Sequence, residues 1–345
     1  MKVSIGMNLQ SGAWGGGNMF GKALTQWLTK QGVEVSHDLK SDDLDIILLA
    51  EPQVRLKISA YGPQAILRYL HRKNPKALVV HRINNSSEAR NDPQKKFNRL
   101  RIQANRVADH TVFISRWVKE GYQQSGYDRP ETESTVILNG GDESLWQKKA
   151  PAPPPTPLSL VTHHWSNDPK KGFDIYRQLD EMLVHPTWRD RISFTYIGRL
   201  PEGFQFQSAR TIPPLSGEEL AQELCRHDIY LTAARNEAAG MHHIEGALSG
   251  LPLLYIVSGA MPEYCHGFGL PFQPETFTQA LEQMVAEYPH WAAQMDHYPF
   301  THDRMCQNYL TLFNTLIAQR QEILARRQWW RRPVWFVKTR WGKES

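Results

Sequence analysis

The chain has 345 residues, 41% of them apolar and 22% charged, the balance of a globular protein with material for two domains of about 150 residues each. That composition excludes a mainly disordered or collagen-like chain, and no apolar run approaches the roughly 18–20 residues of a membrane span. The net charge of +5 is concentrated at one end: from Arg320 to Ser345 eight Lys/Arg stand against Glu322 and Glu344, a local +6, so the first 319 residues sum to −1 and the body offers no basic groove for nucleic acid.

The N-terminal residues Val3–Leu9 read as a short apolar strand and not as a secretory signal. A glycine-rich loop, Ser11–Asn18, follows. Phe20, Ala23, Leu24, Trp27 and Leu28 then recur at helical spacing until Gly32. Ile46–Leu49 is the next buried strand, Pro63 opens a helix with Ile66, Leu67 and Leu70, and Ala77–Val80 is a strand ending at His81-Arg82. A basic helix is expected from about Gln94 to Val107, with strands at Thr111–Ile114 and Val136–Leu138. Short apolar runs alternating with helices predict a parallel sheet covered on both faces.

Residues 151–157 contain five prolines, Pro151, Pro153, Pro154, Pro155 and Pro157. Proline lacks a backbone N–H, so this stretch reads as a semi-rigid linker. The alternation then restarts: strand Leu158–Val161, helix Gly172–Val184, strand Ile192–Ile197, a capping box at Ser216–Glu219, strand Ile229–Thr232, helix Met241–Ser249 and strand Leu253–Val257. A long helix from about Asp303 to Arg327 closes the chain. The expected organisation is an N-terminal domain 1–150, a linker 151–157, a second domain 158–302 and a helix with a basic aromatic tail 303–345. Cys225, Cys265 and Cys306 suit neither a disulfide framework nor a metal site, and a reducing cytoplasm is expected.

The strongest local pattern is Arg235–Gly246, in which Glu237 and Glu245 straddle a strand-to-helix turn at Gly240. The N–H groups of Gly240, Met241 and His242 would point into the same space, and helix N-termini attract phosphate. Carboxylates beside them can accept hydrogen bonds from sugar hydroxyls. On spacing alone, two surface glutamates remain an equal reading. Together with Gly250-Leu251-Pro252 and Gly259–Glu263 downstream, the segment resembles the retaining, nucleotide-sugar-dependent glycosyltransferases of family 4, with their E-x7-E pattern. Gly15-Gly16-Gly17 and Gly32–Val35, Asn139–Asp142 and Lys170-Lys171-Gly172 extend the resemblance over most of the chain.

The resemblance implies a GT-B fold: two Rossmann-like parallel-sheet domains facing across a cleft, with the C-terminal helix returning to the first. It implies sugar transfer from a nucleotide-sugar to an acceptor hydroxyl with retention of configuration, in glycan, polysaccharide or glycolipid synthesis, and with no metal or other cofactor. Glu237 matches the glutamate that contacts the donor sugar, and Glu245 the one that binds the ribose. Lys171 matches the lysine that neutralises the leaving phosphates, and Gly240 and Met241, with His242, the turn that cradles them. Gly16 and Gly17 match the loop that closes over the donor. His81 matches a histidine beside the transferred sugar. The cluster His81–Asn85, read from its residues alone, offers Arg82 and Asn84 as contacts to acceptor or donor and equally reads as loop-stabilising. Ser166 stands where the family has an arginine; Arg199, Arg235 or Lys170 are the candidate replacements. The alternative is a non-catalytic GT-B module that binds a nucleotide-sugar or glycan. The tail, with Trp329, Trp330, Trp335 and Trp341 among its arginines and lysines, is expected either to contact an anionic membrane surface on its cytoplasmic side or to pack on the first domain.

Overall fold

In the computed structural model, described for residues 1–11, 15–146, 148 and 156–327, the chain divides into two compact units. One comprises Met1–Ile137 with the described residues from Met305 onward; the other is Leu138–Arg304. The Asn139–Asp142 segment thus counts with the second unit, whereas the sequence placed it at the end of the first. Residues 151–155 of the proline segment, Gly12–Trp14 of the glycine loop and the tail from 328 lie outside the described residues.

The first unit holds six strands: β1 (Lys2–Ile5), β2 (Glu34–Ser36), β3 (Ile46–Leu49), β4 (Leu78–Ile83), β5 (His110–Phe113) and β6 (Ser134–Val136). All pair in parallel, in the order β2-β1-β3-β4-β5-β6. Their side chains alternate between two buried layers, as the two-residue period of a strand requires. Leu78 and Val80 pack with Phe20, Leu24 and Leu28 of the helix Gly16–Lys30, while Val79 packs with Ile66 and Leu70 on the opposite side. The first layer is completed by the helix His302–Ala318, whose Met305, Cys306, Tyr309, Phe313 and Leu316 recur at helical spacing and are buried. The expected single C-terminal helix is broken: Gln319 separates it from a second helix, Arg320–Arg326. Beyond the break Arg320 pairs with Asp45 at 2.6 Å, and Arg327 pairs with Asp109 and donates to the carbonyls of Pro75 and Ala77 at 2.7 Å each.

The second unit holds β7 (Leu158–His164), β8 (Ile192–Gly198), β9 (Arg210–Ile212), β10 (Ile229–Thr232), β11 (Leu253–Ile256) and β12 (Gly269–Phe272). The order is β12-β11-β10-β7-β8-β9, again all parallel. The chain therefore starts in the middle of the sheet, winds outward to β9 and returns on the other side of β7. Gly140 explains its place in the Asn139–Asp142 motif: a Cβ there would lie 2.0 Å from the Thr301 carbonyl oxygen, so only glycine permits this approach. Ser216 stands at the head of the helix Gly217–Leu224, but its side chain makes no capping hydrogen bond, so the expected capping box is not formed.

Candidate functional site

The winding of the second sheet reverses between β7 and β10. In doubly wound sheets the loops leaving such a pair of strands diverge and leave a crevice at their carboxyl ends. Here those loops are 165–171 and 233–241. Gly172 seats the first against the second: at φ +88, its Cβ would fall 2.3 Å from the Ala233 Cβ and 2.4 Å from the Ala233 carbonyl oxygen. The Arg235 N–H donates to the Lys170 carbonyl at 2.7 Å, tying the loops together. As a result the Lys171 ammonium forms an ion pair with the Glu237 carboxylate, both side chains about one-fifth exposed. Glu237 is held from its other side as well. Gly259, at φ +59, would set a Cβ 2.5 Å from the Glu237 carbonyl oxygen, and the Ala260 N–H donates to that oxygen at 2.8 Å.

Glu245 lies in the first turn of the helix His242–Leu248, behind the Gly240 turn, where φ is +66. Its carboxylate is nearly buried, and Oε2 lies 2.8 Å from His163 Nε2. Gly246, one residue on, lets the helix settle onto the Tyr230 ring, which a Cβ would meet at 2.3 Å. His242 turns inward, bonding Thr232 Oγ1 at 2.8 Å, so of this residue only the backbone is offered to a ligand. His164 bonds the Tyr176 hydroxyl at 2.8 Å and meets the His242 ring edge to face, with centroids 4.8 Å apart. Burial, then in His164 the charge of Lys171 and in His242 the neighbouring His164, push both imidazoles well below the ordinary histidine range. They are neutral at physiological pH.

The structure thus gathers Lys171, Glu237, Gly240 and Glu245 on the loops and helix around one switch point. The candidate replacement cations divide. Arg235 is engaged in a two-pronged pair with Asp174, at 2.8 and 2.6 Å. Arg199 is exposed just beyond β8. Ser166 is exposed in the loop after β7, where its hydroxyl accepts the Asp168 N–H at 3.1 Å. Lys170 is half-buried beside Lys171. The sequence reading did not find His163, Tyr230, Thr232 and Tyr176, the polar layer beneath the site; the run Thr162-His163-His164 inside an otherwise apolar strand was the available signal.

In the first unit Gly16 and Gly17 open the long helix, and Asn18 behind them closes the glycine loop, accepting the Gln10 N–H at 2.8 Å and donating to its carbonyl at 2.9 Å. Asn84 lies against this turn, its Nδ2 3.7 Å from a Cβ position on Gly17. His81 and Arg82 lie within the strand and not beyond its end as expected. β4 runs on to Ile83, pairing His81 with Thr111 and Arg82 with Val112, and strand alternation sends the two to opposite layers. His81 is wholly buried, 3.0 Å from Asn105 Nδ2, and burial with the charges of Arg101 and Arg129 lowers its pKa to about 3. Arg82 is buried with its guanidinium 3.8 Å over the Phe20 ring.

Both sheet orders and the C-terminal helix that completes the first unit are those of the GT-B fold, and solved structures agree. The chain is similar to a sucrose-phosphate synthase from Thermosynechococcus elongatus at 13% identity, covering 92% of this chain and 99% of that one with a TM-score of 0.61. It is similar to Anabaena HepE in complex with UDP at 15% identity, covering 91% and 100%, with a TM-score of 0.62. WaaG, a glycosyltransferase involved in lipopolysaccharide biosynthesis, matches at 14% identity over 91% and 99%, with a TM-score of 0.58. No protein-family model matches the chain, and no curated protein matches it significantly by sequence.

Proposed function

We propose that the protein transfers a sugar from a nucleoside-diphosphate sugar to an acceptor hydroxyl, with retention at the anomeric carbon, as its resemblance to family 4 implies. The observation that carries this is the placement of Lys171, Glu237, Gly240 and Glu245 at the switch point of the second sheet. The diphosphate would lie against the Gly240 turn with the Lys171 ammonium on its oxygens, exchanging the Glu237 carboxylate for phosphate. Glu237, so released, accepts hydrogen bonds from the donor sugar, and Glu245 from the ribose. A fixed cation at a leaving phosphate is worth more in the transition state than in the ground state, because negative charge grows there as the glycosidic bond breaks. The departing phosphate oxygen then takes the proton of the incoming hydroxyl on the same face, so no protein base is needed and the cation is Lys171, with no bound metal. The first unit, with Asn84, serves the acceptor, a sugar, glycan or lipid-linked glycan, while Gly16 and Gly17 serve the donor.

The second reading, a binding module without turnover, is favoured by the loss of cations: Ser166 replaces the family arginine, and Arg235 is committed to Asp174. Incubation with a panel of UDP-, GDP-, ADP- and dTDP-sugars separates the two. Release of nucleoside diphosphate, with an axial or equatorial product bond matching the donor's by NMR coupling, supports the transferase. Binding without release from any donor or acceptor pair supports the module.

A further inference from the structure

We infer that His163 is a positioning residue for nucleotide recognition: it holds the Glu245 carboxylate in one orientation, and Tyr230 fixes the imidazole tautomer that does so. The inference rests on the proposed donor site and adds to it a residue that the sequence pattern does not assign. With the imidazole neutral, the hydrogen bonds have one consistent assignment. The Tyr230 hydroxyl lies 3.2 Å from the His163 backbone nitrogen, which can only donate, so the hydroxyl oxygen accepts there. The same hydroxyl lies 3.0 Å from His163 Nδ1 and has its own proton left to give. Nδ1 is then the acceptor and Nε2 carries the imidazole proton. That proton points at Glu245 Oε2, 2.8 Å away. The opposite tautomer would set an imidazole lone pair against an acceptor-only carboxylate.

Tyr230 cannot drift out of this arrangement. Its side chain is wholly buried, and Gly246 of the helix that carries Glu245 rests on its ring at a distance no side chain would allow. The helix, the tyrosine and the histidine are therefore one packed unit, and the glutamate enters the binding site with one oxygen already committed and its rotamer set. The cost of ordering that side chain is met in folding and not in binding. An ordered carboxylate discriminates a ribose that offers hydroxyls from one that does not; a mobile one does so less.

The test is the affinity of UDP, GDP and ADP, each against its 2′,3′-dideoxy counterpart, by calorimetry on the full chain. In the wild type the best nucleotide is expected to bind more tightly than its dideoxy form, and Glu245→Gln to reduce that ratio. His163→Phe is expected to lower the ratio by about fivefold to tenfold while leaving the dideoxy affinity unchanged. His163→Gln, which can still donate to the carboxylate, restores part of it. Tyr230→Phe lowers the ratio in the same direction without removing the imidazole, which keeps the test in hand if His163→Phe does not fold. A merely structural role would weaken both nucleotides equally. An unchanged ratio in the His163 and Tyr230 variants, with Glu245→Gln still abolishing it, overturns the inference and leaves the donor site standing. Absence of nucleotide binding by the wild type overturns the donor site and this inference with it.

Discussion

A lysine that meets a leaving phosphate must be close to it and must not be satisfied elsewhere at the moment charge develops. In the proposed reaction Lys171 meets the first condition by the approach of Gly172 to Ala233, and its ammonium is paired with Glu237. In that proposed reaction the ammonium exchanges this carboxylate for a diphosphate of greater charge, and Glu237 is then freed toward the sugar. Lys171→Ala is therefore expected to lower kcat by more than it raises KM, by about tenfold to a hundredfold, since one preorganised electrostatic donor is lost where charge grows. Under the proposed function Glu237→Gln keeps the shape of the site and should lower kcat, because its substrate partner is the sugar, while nucleoside-diphosphate affinity is raised, because Lys171 no longer has to leave a carboxylate. Steady-state kinetics and calorimetry check both; a raised KM with unchanged kcat in Lys171→Ala would mean that it binds the ground state as tightly as the transition state. At this scale the sequence was legible where residues act through spacing along the chain: Lys171 before its glycine, and the two glutamates around Gly240. It was not legible where a residue's role depends on which face of a strand it occupies. His81 and Arg82 look like a polar strand end, but they pair with β5 and are buried on opposite faces. His163 looks like half of a histidine pair, and only the position of β10 beside β7 brings it to Tyr230 and Glu245.

At the scale of elements, the site is set by glycines whose neighbours leave no room for a methyl group. Gly172 and Gly203 share positive φ, +88 and +72, but the first faces Ala233 at 2.3 Å and the second faces nothing within 4 Å. Gly203→Ala should cost only the strain of the left-handed backbone, about 1 kcal/mol, and leave activity intact. Gly172→Ala adds a clash of the new methyl group with the Cβ and carbonyl of Ala233, so it should cost about 1–3 kcal/mol more and displace Lys171 from Glu237. Thermal unfolding of the two variants gives the stability difference, and donor turnover shows whether the loop has moved. The same elements show why the fold was largely readable. Central strands such as Ile46–Leu49, Ile229–Thr232 and Leu253–Ile256 are buried on both faces and stand out as apolar runs. Edge strands do not: β9 is Arg210–Ile212 and mostly exposed, and β12 carries Gly269 and Pro271. Their partners place them in the sheet, and an edge strand needs no apolar pattern on its open side.

At the scale of the molecule, buried neutral histidines make stability depend on acid, and they are unevenly divided. The second unit carries His164, His242, His243, His227 and His302, all with pKa lowered chiefly by burial, His243 to about 3; the first carries His81, lowered to about 3, and His110, to about 4. A histidine that titrates near 6.5 when unfolded and lower when folded binds more protons in the unfolded state between those values. Stability is therefore unaffected above about pH 7 and falls as pH drops below 6.5, by about 1.4 kcal/mol per pH unit for each such histidine, levelling off only below the folded pKa. Peptide-resolved hydrogen exchange at pH 7.5 and pH 5 should show the second unit losing protection more steeply than the first. The C-terminal segment poses the other question at this scale, because Arg327 is where the described chain is fastened to the first unit: its guanidinium pairs with buried Asp109 and reaches two carbonyls. Truncation after Ala318 would remove Arg327 and buried Ile323 and leave Asp109 without its cation, a loss of about 3–5 kcal/mol from the first unit. Truncation after Arg327 keeps that anchor and removes Arg331, Arg332, Lys338, Arg340 and Lys343 with Glu344, lowering the net charge by four. If the tail engages an anionic bilayer, this shorter truncation keeps the melting temperature and loses binding to anionic vesicles. The full chain's binding should also strengthen in dilute buffer, because screening over about 8–10 Å weakens it at physiological salt. A fall in melting temperature on the same truncation, with no vesicle binding by the full chain, would show instead that the tail's indoles pack against the body, at about 25 cal/mol per Å² of apolar surface covered.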